Sequence, residues 1–374
     1  MALKIAVLKE TTEHEKRVAA TPETIKKYIA KGFTVSVVTG AGDNAAYPDI
    51  AYQEAGATIS DTNIAASTQA DIILCVRPPV DPLPYKPDAL LIGLLSPYHS
   101  QDRLSAYAAQ SLTALSMELV PRITRAQAMD VLSSQSNLAG YRAVLEAASV
   151  FPRAFPMMMT AAGTIPPARV FVMGAGVAGL QAIATAKRLG AIVSATDVRP
   201  ASKEQVQSLG ASFVMVESDE IKEAETTGGY AKEMSDDFKQ KQAKLVAETL
   251  IKQDIVITTA LIPGRPAPIL VTEEMVRSMK PGSVIVDLAA PQGGNCALTQ
   301  IGKTIDINGV KILGFENISS HIATDSSALY ARNLMNLLAI LVDKNGDLAI
   351  NMDDEIIKAT VLTKSGQIVH PGFQ

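Results

Sequence analysis

Short apolar runs alternate with helical patterns along the whole chain. In the first 120 residues, KIAVL (4–8), TVSVV (34–38), DIILCV (71–76), LLIGLL (90–95) and SLTALSM (111–117) read as strands. Thr21-Pro22-Glu23 predicts a helix N-terminus with Pro at its first position, Gly32 predicts its end, and Gln101 to Ala109 predicts another helix. A second series opens near residue 168. RVFVMG is a strand, VAGLQAIATAKRLG a helix stopping at Gly190, and AIVSATD the next strand; ASFVMV (211–216), DIVITTA (254–260), SVIVDLA (283–289) and VKILGF (310–315) continue it. RPPVDPLPYKPD (77–88) is a Pro-rich surface loop, and 217–250 is a charged, Gly-interrupted stretch longer than an ordinary crossover. After 325, SSALYARNLMNLLAILV has helical spacing and can lead the chain back to the first lobe. The expected fold is α/β: two Rossmann-like domains with parallel β-sheets flanked by helices. The first is discontinuous, 1–136 plus 311–374, and the dinucleotide domain is inserted as 137–310.

Composition narrows this reading. The chain of 374 residues is 47% hydrophobic and 19% charged, which excludes a disordered, collagen-like or coiled-coil protein. Aromatic residues are only 5%, with no Trp, so Ala, Val, Ile, Leu and Met must fill the core, as in parallel sheets. Net charge is −4 and no Lys/Arg cluster can track a phosphate backbone, so nucleic acid is not an expected partner. Cys75 and Cys296 lie far apart without a CxxC or a His pair, which argues against a disulfide scaffold or a zinc site. MALKIAVLKETTEHEKR is neither a signal nor a transit peptide, and no run suits a transmembrane helix, so a cytoplasmic location is expected.

The sharpest motif is GAGVAG, residues Gly174, Ala175, Gly176, Val177, Ala178 and Gly179, between a strand and a helix. Gly174 permits the tight turn, Gly176 lets backbone approach a pyrophosphate, and Gly179 lets the helix pack closely on the strand. The phosphates then meet the unpaired N–H groups of the helix N-terminus. The next strand ends at Asp197, 23 residues after Gly174, where a carboxylate accepts from an adenosine ribose and disfavours a 2′-phosphate. Val198 and Arg199 follow; an Arg there can also accommodate that phosphate. GAGDNA (40–45) is a second glycine cluster after a strand, but AYPD intervenes before a helix can start, so it reads as a loop.

Four further stretches, MELVPRITRAQAMDVLSSQSNLAGYRAV (117–144), FPMMMTAAGTIPPARV (155–170), TTALIPGRPAPIL (258–270) and VDLAAPQGGN (286–295), together with GGYAKEM, carry a family resemblance over essentially the whole chain. The sequence resembles the NAD(H)-binding domain I of proton-translocating nicotinamide nucleotide transhydrogenase, in the alanine dehydrogenase/transhydrogenase superfamily. The resemblance implies hydride transfer from NADH bound here to NADP⁺ on a partner domain III. It implies a membrane domain II on another chain for proton movement, a homodimer, and a peripheral position at the inner membrane. Transfer between two nicotinamides needs proximity and orientation, but no general base and no metal. By resemblance Gln127 reaches the nicotinamide ribose, and Arg122, Asp130 and Ser133 fix the ring and carboxamide. The resemblance also implies that Gly229 and Tyr230 belong to the family's mobile loop, and Leu261, directly after a Rossmann strand, is expected to meet the adenosine half. Each has a plainer reading: Thr124 and Gln127 as a capping box, Arg122 and Asp130 as a surface pair, Leu261 as packing.

The rival within the superfamily is an alanine dehydrogenase, an NAD-dependent oxidative deaminase needing a carboxylate clamp and proton-transfer groups. Arg17 matches its carboxylate-binding Arg. Arg77 stands where the enzyme has Lys, Leu95 or Ser96 where it has His, and Pro291 where it has Asp. A non-catalytic NAD-binding regulatory module is the third reading.

Overall fold

In the computed structural model, residues 2–99, 101–199, 201–216, 235–262 and 264–374 are described. The chain divides into two compact units, 1–135 with 319–374, and 136–318.

The first unit is built on β1 (Lys4–Val7), β2 (Thr34–Val38), β3 (Thr58–Ser60), β4 (Ile72–Leu74), β5 (Leu90–Gly93) and β6 (Thr113–Ser116). The second contains the hairpin β7 (Met158–Thr160) and β8 (Gly163–Ile165). Its main sheet uses β9 (Arg169–Met173), β10 (Ile192–Thr196), β11 (Ser212–Phe213), β12 (Ile255–Thr258), β13 (Val284–Asp287), β14 (Lys303–Ile307) and β15 (Val310–Gly314). The chain then returns to the first unit with β16 (Val361–Lys364) and β17 (Gln367–Ile368).

Both main sheets are Rossmann-like. The first runs β17-β16-β6-β5-β4-β1-β2-β3 and the second β11-β10-β9-β12-β13-β15-β14. In each, the first strand lies between the second and the fourth, and that reversal of strand order opens a crevice at the strands' carboxyl ends. The pairings are parallel except at one edge of each sheet, where β16 runs antiparallel to β6 and β14 antiparallel to β15. Strands buried on both faces explain the unbroken apolar runs: Ile72–Leu74, Leu90–Ile92 and Ile255–Ile257 are fully buried. Helix ends follow local chemistry. Thr21 caps the helix Pro22–Ala30 in a reciprocal box with Thr24, and Gly32 and Gly190 take positive φ where helices stop.

The expected boundary at 310/311 moves. Val310–Gly314 is a strand of the second sheet, paired with β13 in parallel and β14 in antiparallel register, so the second unit extends to Ile318. The T-x-x-Q capping box does not form either. Thr124–Met129 is a 3₁₀ helix whose N-cap is Ile123, with no side-chain cap.

Candidate functional site

The glycine turn leaves β9 at the crevice of the second sheet. Gly174 has φ +102, which glycine adopts without strain, and its N–H donates to Thr196 O at 2.8 Å. Gly176 is the N-cap of the helix Val177–Arg188 and supplies no side-chain cap, so the first N–H groups stay available to an anion. A Cβ at Gly176 would meet nothing within 4 Å, whereas one at Gly179 would stand 1.8 Å from Gly174 O. Gly176 thus borders open space, and Gly179 presses the helix onto the turn. Ala175 is buried, while Val177 is exposed.

Asp197 closes the other side. One carboxylate oxygen accepts from Ala175 N at 2.6 Å and the other from Arg199 N at 2.8 Å, and the Arg199 guanidinium binds both, at 2.9 and 3.0 Å. Burial pushes the Asp197 carboxyl up, but the Arg199 and Ala175 donors outweigh it and hold it below the ordinary range. A ribose hydroxyl reaching this carboxylate must share it with Arg199, whose side chain is 35% exposed and has room to withdraw. Val198 and Leu261 are exposed beside these turns, at 56% and 47%.

Arg122, Gln127, Asp130 and Ser133 lie in the first unit. Asp130 accepts from Ser133 N at 2.9 Å and Ser133 Oγ at 2.6 Å, capping the helix Val131–Val150. Buried Ala126 and Met129 root the Thr124–Met129 turn, and Asn333 and Asn336 both donate to Ala128 O, at 2.8 and 3.0 Å. Gln127 and Arg122 are exposed, and Asp130 N donates to the Gln127 carbonyl at 3.3 Å. Gly229 and Tyr230 lie outside the described residues.

The crevice of the first sheet holds charge instead of glycine. Arg17 binds Glu15 through Nε at 2.7 Å and a terminal nitrogen at 2.6 Å, and Gln135 Oε1 at 2.8 Å; Arg17 and Glu15 are both buried. Ser320 also donates to Glu15, and Arg77 Nε lies 3.5 Å from it. Glu10 accepts from Val76 N and Arg77 N at 2.7 and 2.9 Å. Burial and the neighbouring Glu15 raise Glu10 to about 8. Burial also opposes ionisation of Glu15, but Arg17 overrides it and the carboxyl is held at about 2. Leu95 is fully buried, its N–H and that of Ser96 donate to Glu118, and Pro291 is exposed. Neither Leu95 nor Pro291 has a side chain that can relay a proton.

GAGDNA also resolves. It follows β2, away from the reversal of strand order, and Asp49 accepts from Thr39 Oγ1 and Gly40 N at 2.7 and 2.9 Å. That carboxylate occupies the Thr39 hydroxyl and the Gly40 N–H at the start of the turn.

The sequence reading missed Thr259, Asp287 and Asn295, which buttress the glycine turn. Thr259 Oγ1 donates to Gly174 O at 3.1 Å. Asp287, wholly buried, accepts from Thr258 Oγ1, Thr299 Oγ1 and the N–H groups of Ala289, Asn295 and Cys296. The one local signal was a polar residue directly after Gly293-Gly294 in VDLAAPQGGN. Among the described residues no group of three or more His, Cys, Asp or Glu could hold a metal, and no helix is long and apolar enough to cross a membrane.

Two family models cover the chain: the alanine dehydrogenase/PNT N-terminal domain over residues 6–139 and its C-terminal domain over 143–371. The chain belongs to the alanine dehydrogenase/PNT family. Within it, the first part of NAD(P) transhydrogenase subunit alpha of Rhodospirillum rubrum is 54% identical, over 99% of each chain. NAD(P) transhydrogenase subunit alpha of Haemophilus influenzae is 47% identical over 98% of this chain and 72% of its own. A solved transhydrogenase structure from Sinorhizobium meliloti superposes with a TM-score of 0.89 at 53% identity, covering 98% of this chain and all of that one. An L-alanine dehydrogenase structure shares the fold, with a TM-score of 0.83 at 23% identity over 100% and 98% of the two chains.

Proposed function

We propose that this family member is the NAD(H)-binding subunit of a proton-translocating nicotinamide nucleotide transhydrogenase. It passes hydride from NADH to NADP⁺ held by a domain III on another chain, and a membrane domain II elsewhere couples the transfer to proton movement. The observation that carries this reading is the open glycine turn with Asp197 at the crevice of the second sheet. The residues fit a dinucleotide: space at Gly176, uncapped N–H groups for a pyrophosphate, and an ionised carboxylate for a ribose. Asp197 favours NAD(H), because a carboxylate at this place accepts from a ribose hydroxyl and repels a 2′-phosphate.

The nicotinamide supplies the hydride chemistry when bound. The chain's contribution is binding and orientation, for which we assign Gln127 to the nicotinamide ribose and Arg122, Asp130 and Ser133 to the ring and carboxamide. The Asp130–Ser133 hydrogen bonds hold both polar groups in one arrangement, which suits positioning. Oxidative deamination is disfavoured because Arg77, Leu95, Ser96 and Pro291 stand at the positions where such an enzyme needs its chemical groups, and because Glu15 already engages Arg17.

A homodimer is part of the proposal. The hairpin β7–β8 is exposed on every residue, Met158, Met159 and Ile165 among them, as is Met157 beside it, and no charge lies between Arg153 and Arg169. An isolated two-stranded hairpin gains little stability in water and favours cover. Location at the inner membrane would then come through partner subunits.

The deciding experiment mixes the purified chain with an NADP(H)-binding domain III and follows hydride exchange. Exchange together with NADH binding and no alanine-dependent NADH formation is expected. Robust alanine turnover would establish the deaminase, and binding without exchange would establish a regulatory module.

A further inference from the structure

We propose that Asn295 is a positioning residue for the dinucleotide, acting through Ala260 and Thr259 on the glycine turn; this rests on the NAD(H) reading of that turn. Asn295 is fully buried, and its side-chain amide grips one peptide segment from both sides. Oδ1 accepts from Ala260 N at 2.9 Å, and Nδ2 donates to Ala260 O and to Pro268 O, each at 2.8 Å. An amide offers the acceptor and the two donors this segment needs; a carboxylate at 295 would satisfy Ala260 N but leave both carbonyls unpaired.

Asn295 is itself immobile. Its N–H donates to Asp287 at 2.8 Å, and its carbonyl accepts from Leu270 N and Val271 N at 2.7 and 3.0 Å. Gly294, at φ +85, allows this approach, since a Cβ there would stand 2.8 Å from Asp287 Oδ2. The network leads in one direction to the buried carboxylate of β13 and in the other to the end of β12. There Thr259 N donates to Met173 O and Thr259 Oγ1 to Gly174 O, at 2.9 and 3.1 Å. Gly174 and Thr259 fit so closely that a Cβ on Gly174 would stand 2.4 Å from Thr259 Oγ1. The turns after β9 and β12 flank the crevice. Asn295 therefore fixes the second turn, and Thr259 transmits that position to the first. A purely structural amide would hold the 260–268 loop without any effect at Gly174.

The test compares wild type with Asn295→Ala, Thr259→Val, Thr259→Ser and the double variant Asn295→Ala with Thr259→Val. It reads melting temperature without ligand, and dissociation constants for NADH and ADP-ribose well below the melting temperature. Coupling within one hydrogen-bonded network reaches roughly 2- to 100-fold in binding. Asn295→Ala is expected to weaken NADH and ADP-ribose by the same factor, about tenfold, because the effect lies at the ADP half. Thr259→Val, which keeps shape and removes the hydroxyl, should weaken both severalfold, Thr259→Ser should restore wild-type affinity, and the double variant should be weaker than wild type by less than the product of the singles. If Asn295→Ala does not fold, the Thr259 pair still decides. Unchanged affinity in Thr259→Val, or in Asn295→Ala despite a lower melting temperature, overturns the inference, as does a multiplicative double variant. Failure of wild type to bind NADH would instead remove the cofactor reading on which it stands.

Discussion

Two glycines three residues apart make opposite predictions, and the contrast tests whether the turn after β9 is built for a ligand. At Gly176 the backbone is ordinary, φ −75, and an added Cβ meets nothing within 4 Å. Replacing Gly by Ala at a compatible site gains about 0.4–1 kcal/mol through the unfolded chain, and a poorer N-cap loses a similar amount. Gly176→Ala should therefore change stability by no more than about 0.5 kcal/mol, a shift of roughly 1–2 °C for a unit of this size. At Gly179 the added Cβ would lie 1.8 Å from Gly174 O and 2.8 Å from Gly174 C, so backbone must move by more than an ångström. Overpacking of that kind costs about 3 kcal/mol, or ~6–12 °C. Binding should rank the other way relative to stability. The methyl at Gly176 enters the space reserved for the pyrophosphate and removes one hydrogen bond to a charged group, worth about 1.5–3 kcal/mol, so the NADH dissociation constant should rise roughly 10- to 100-fold. Scanning fluorimetry without ligand and fluorescence titration with NADH measure both quantities. Wild-type NADH affinity in Gly176→Ala would refute the pyrophosphate assignment, and a melting point more than about 5 °C below wild type would refute the open space.

The other predictions concern the first unit and the hairpin. Arg17→Met leaves Glu15 buried without its two-pronged partner and should cost about 3–5 kcal/mol, seen as a large fall in melting temperature by circular dichroism; a fall under about 2 °C would show that the pair contributes little. Glu10 and Glu15 titrate in opposite senses. Glu15 has a folded value of about 2, below the ordinary 4.5, so its stabilisation is present above pH 4.5 and lost as pH falls toward 2. Glu10 has a folded value of about 8, above its ordinary value, so the fold binds its proton more tightly and stability declines as pH rises from 4.5 through 8. Glu10→Gln, which keeps a neutral group at every pH, should flatten that alkaline limb in a melting-temperature profile; an unaltered slope would assign the limb elsewhere. Met159→Glu places a charge on the most exposed apolar side chain of the hairpin, 77% accessible, and should shift sedimentation toward monomer, whereas an unchanged dimer would locate the interface on another face.

Much of this architecture was written in apolar runs because parallel strands buried on both faces have no alternation to obscure them. RVFVM coincides with β9 on that account, Val170–Met173 being buried without a break. The elements that escaped are edges. Thr58–Ser60 is three residues with no buried side chain, Lys303–Ile307 is mostly exposed, and Met158–Thr160 and Gly163–Ile165 are exposed throughout. Val361–Lys364 is largely buried, but its partner β6 lies about 250 residues earlier, a pairing no local pattern encodes. The site divides similarly. The glycine spacing and Asp197 are local and were legible, but a carboxylate's spacing does not say that Arg199 folds back over it, nor that Asn295 reaches Ala260.

The first five strands of each sheet follow the same order, so the difference in what the two crevices can bind lies in the turn after each first strand. In the second unit that turn is emptied: glycines remove side chains, the following helix presents uncapped N–H groups, and Asp197 waits at one side. In the first unit the segment after β1 fills its own crevice with Glu10, Glu15 and Arg17, joined by Arg77 from the turn after β4. The same topology thus yields one crevice with unfilled N–H donors and one whose charges already answer each other. The misleading glycines at 40–45 make the point from the other direction, since they follow β2 and the Gly40 N–H is taken by Asp49. A glycine-rich turn becomes a nucleotide site only where strand order opens a crevice and no side chain of the chain itself closes it.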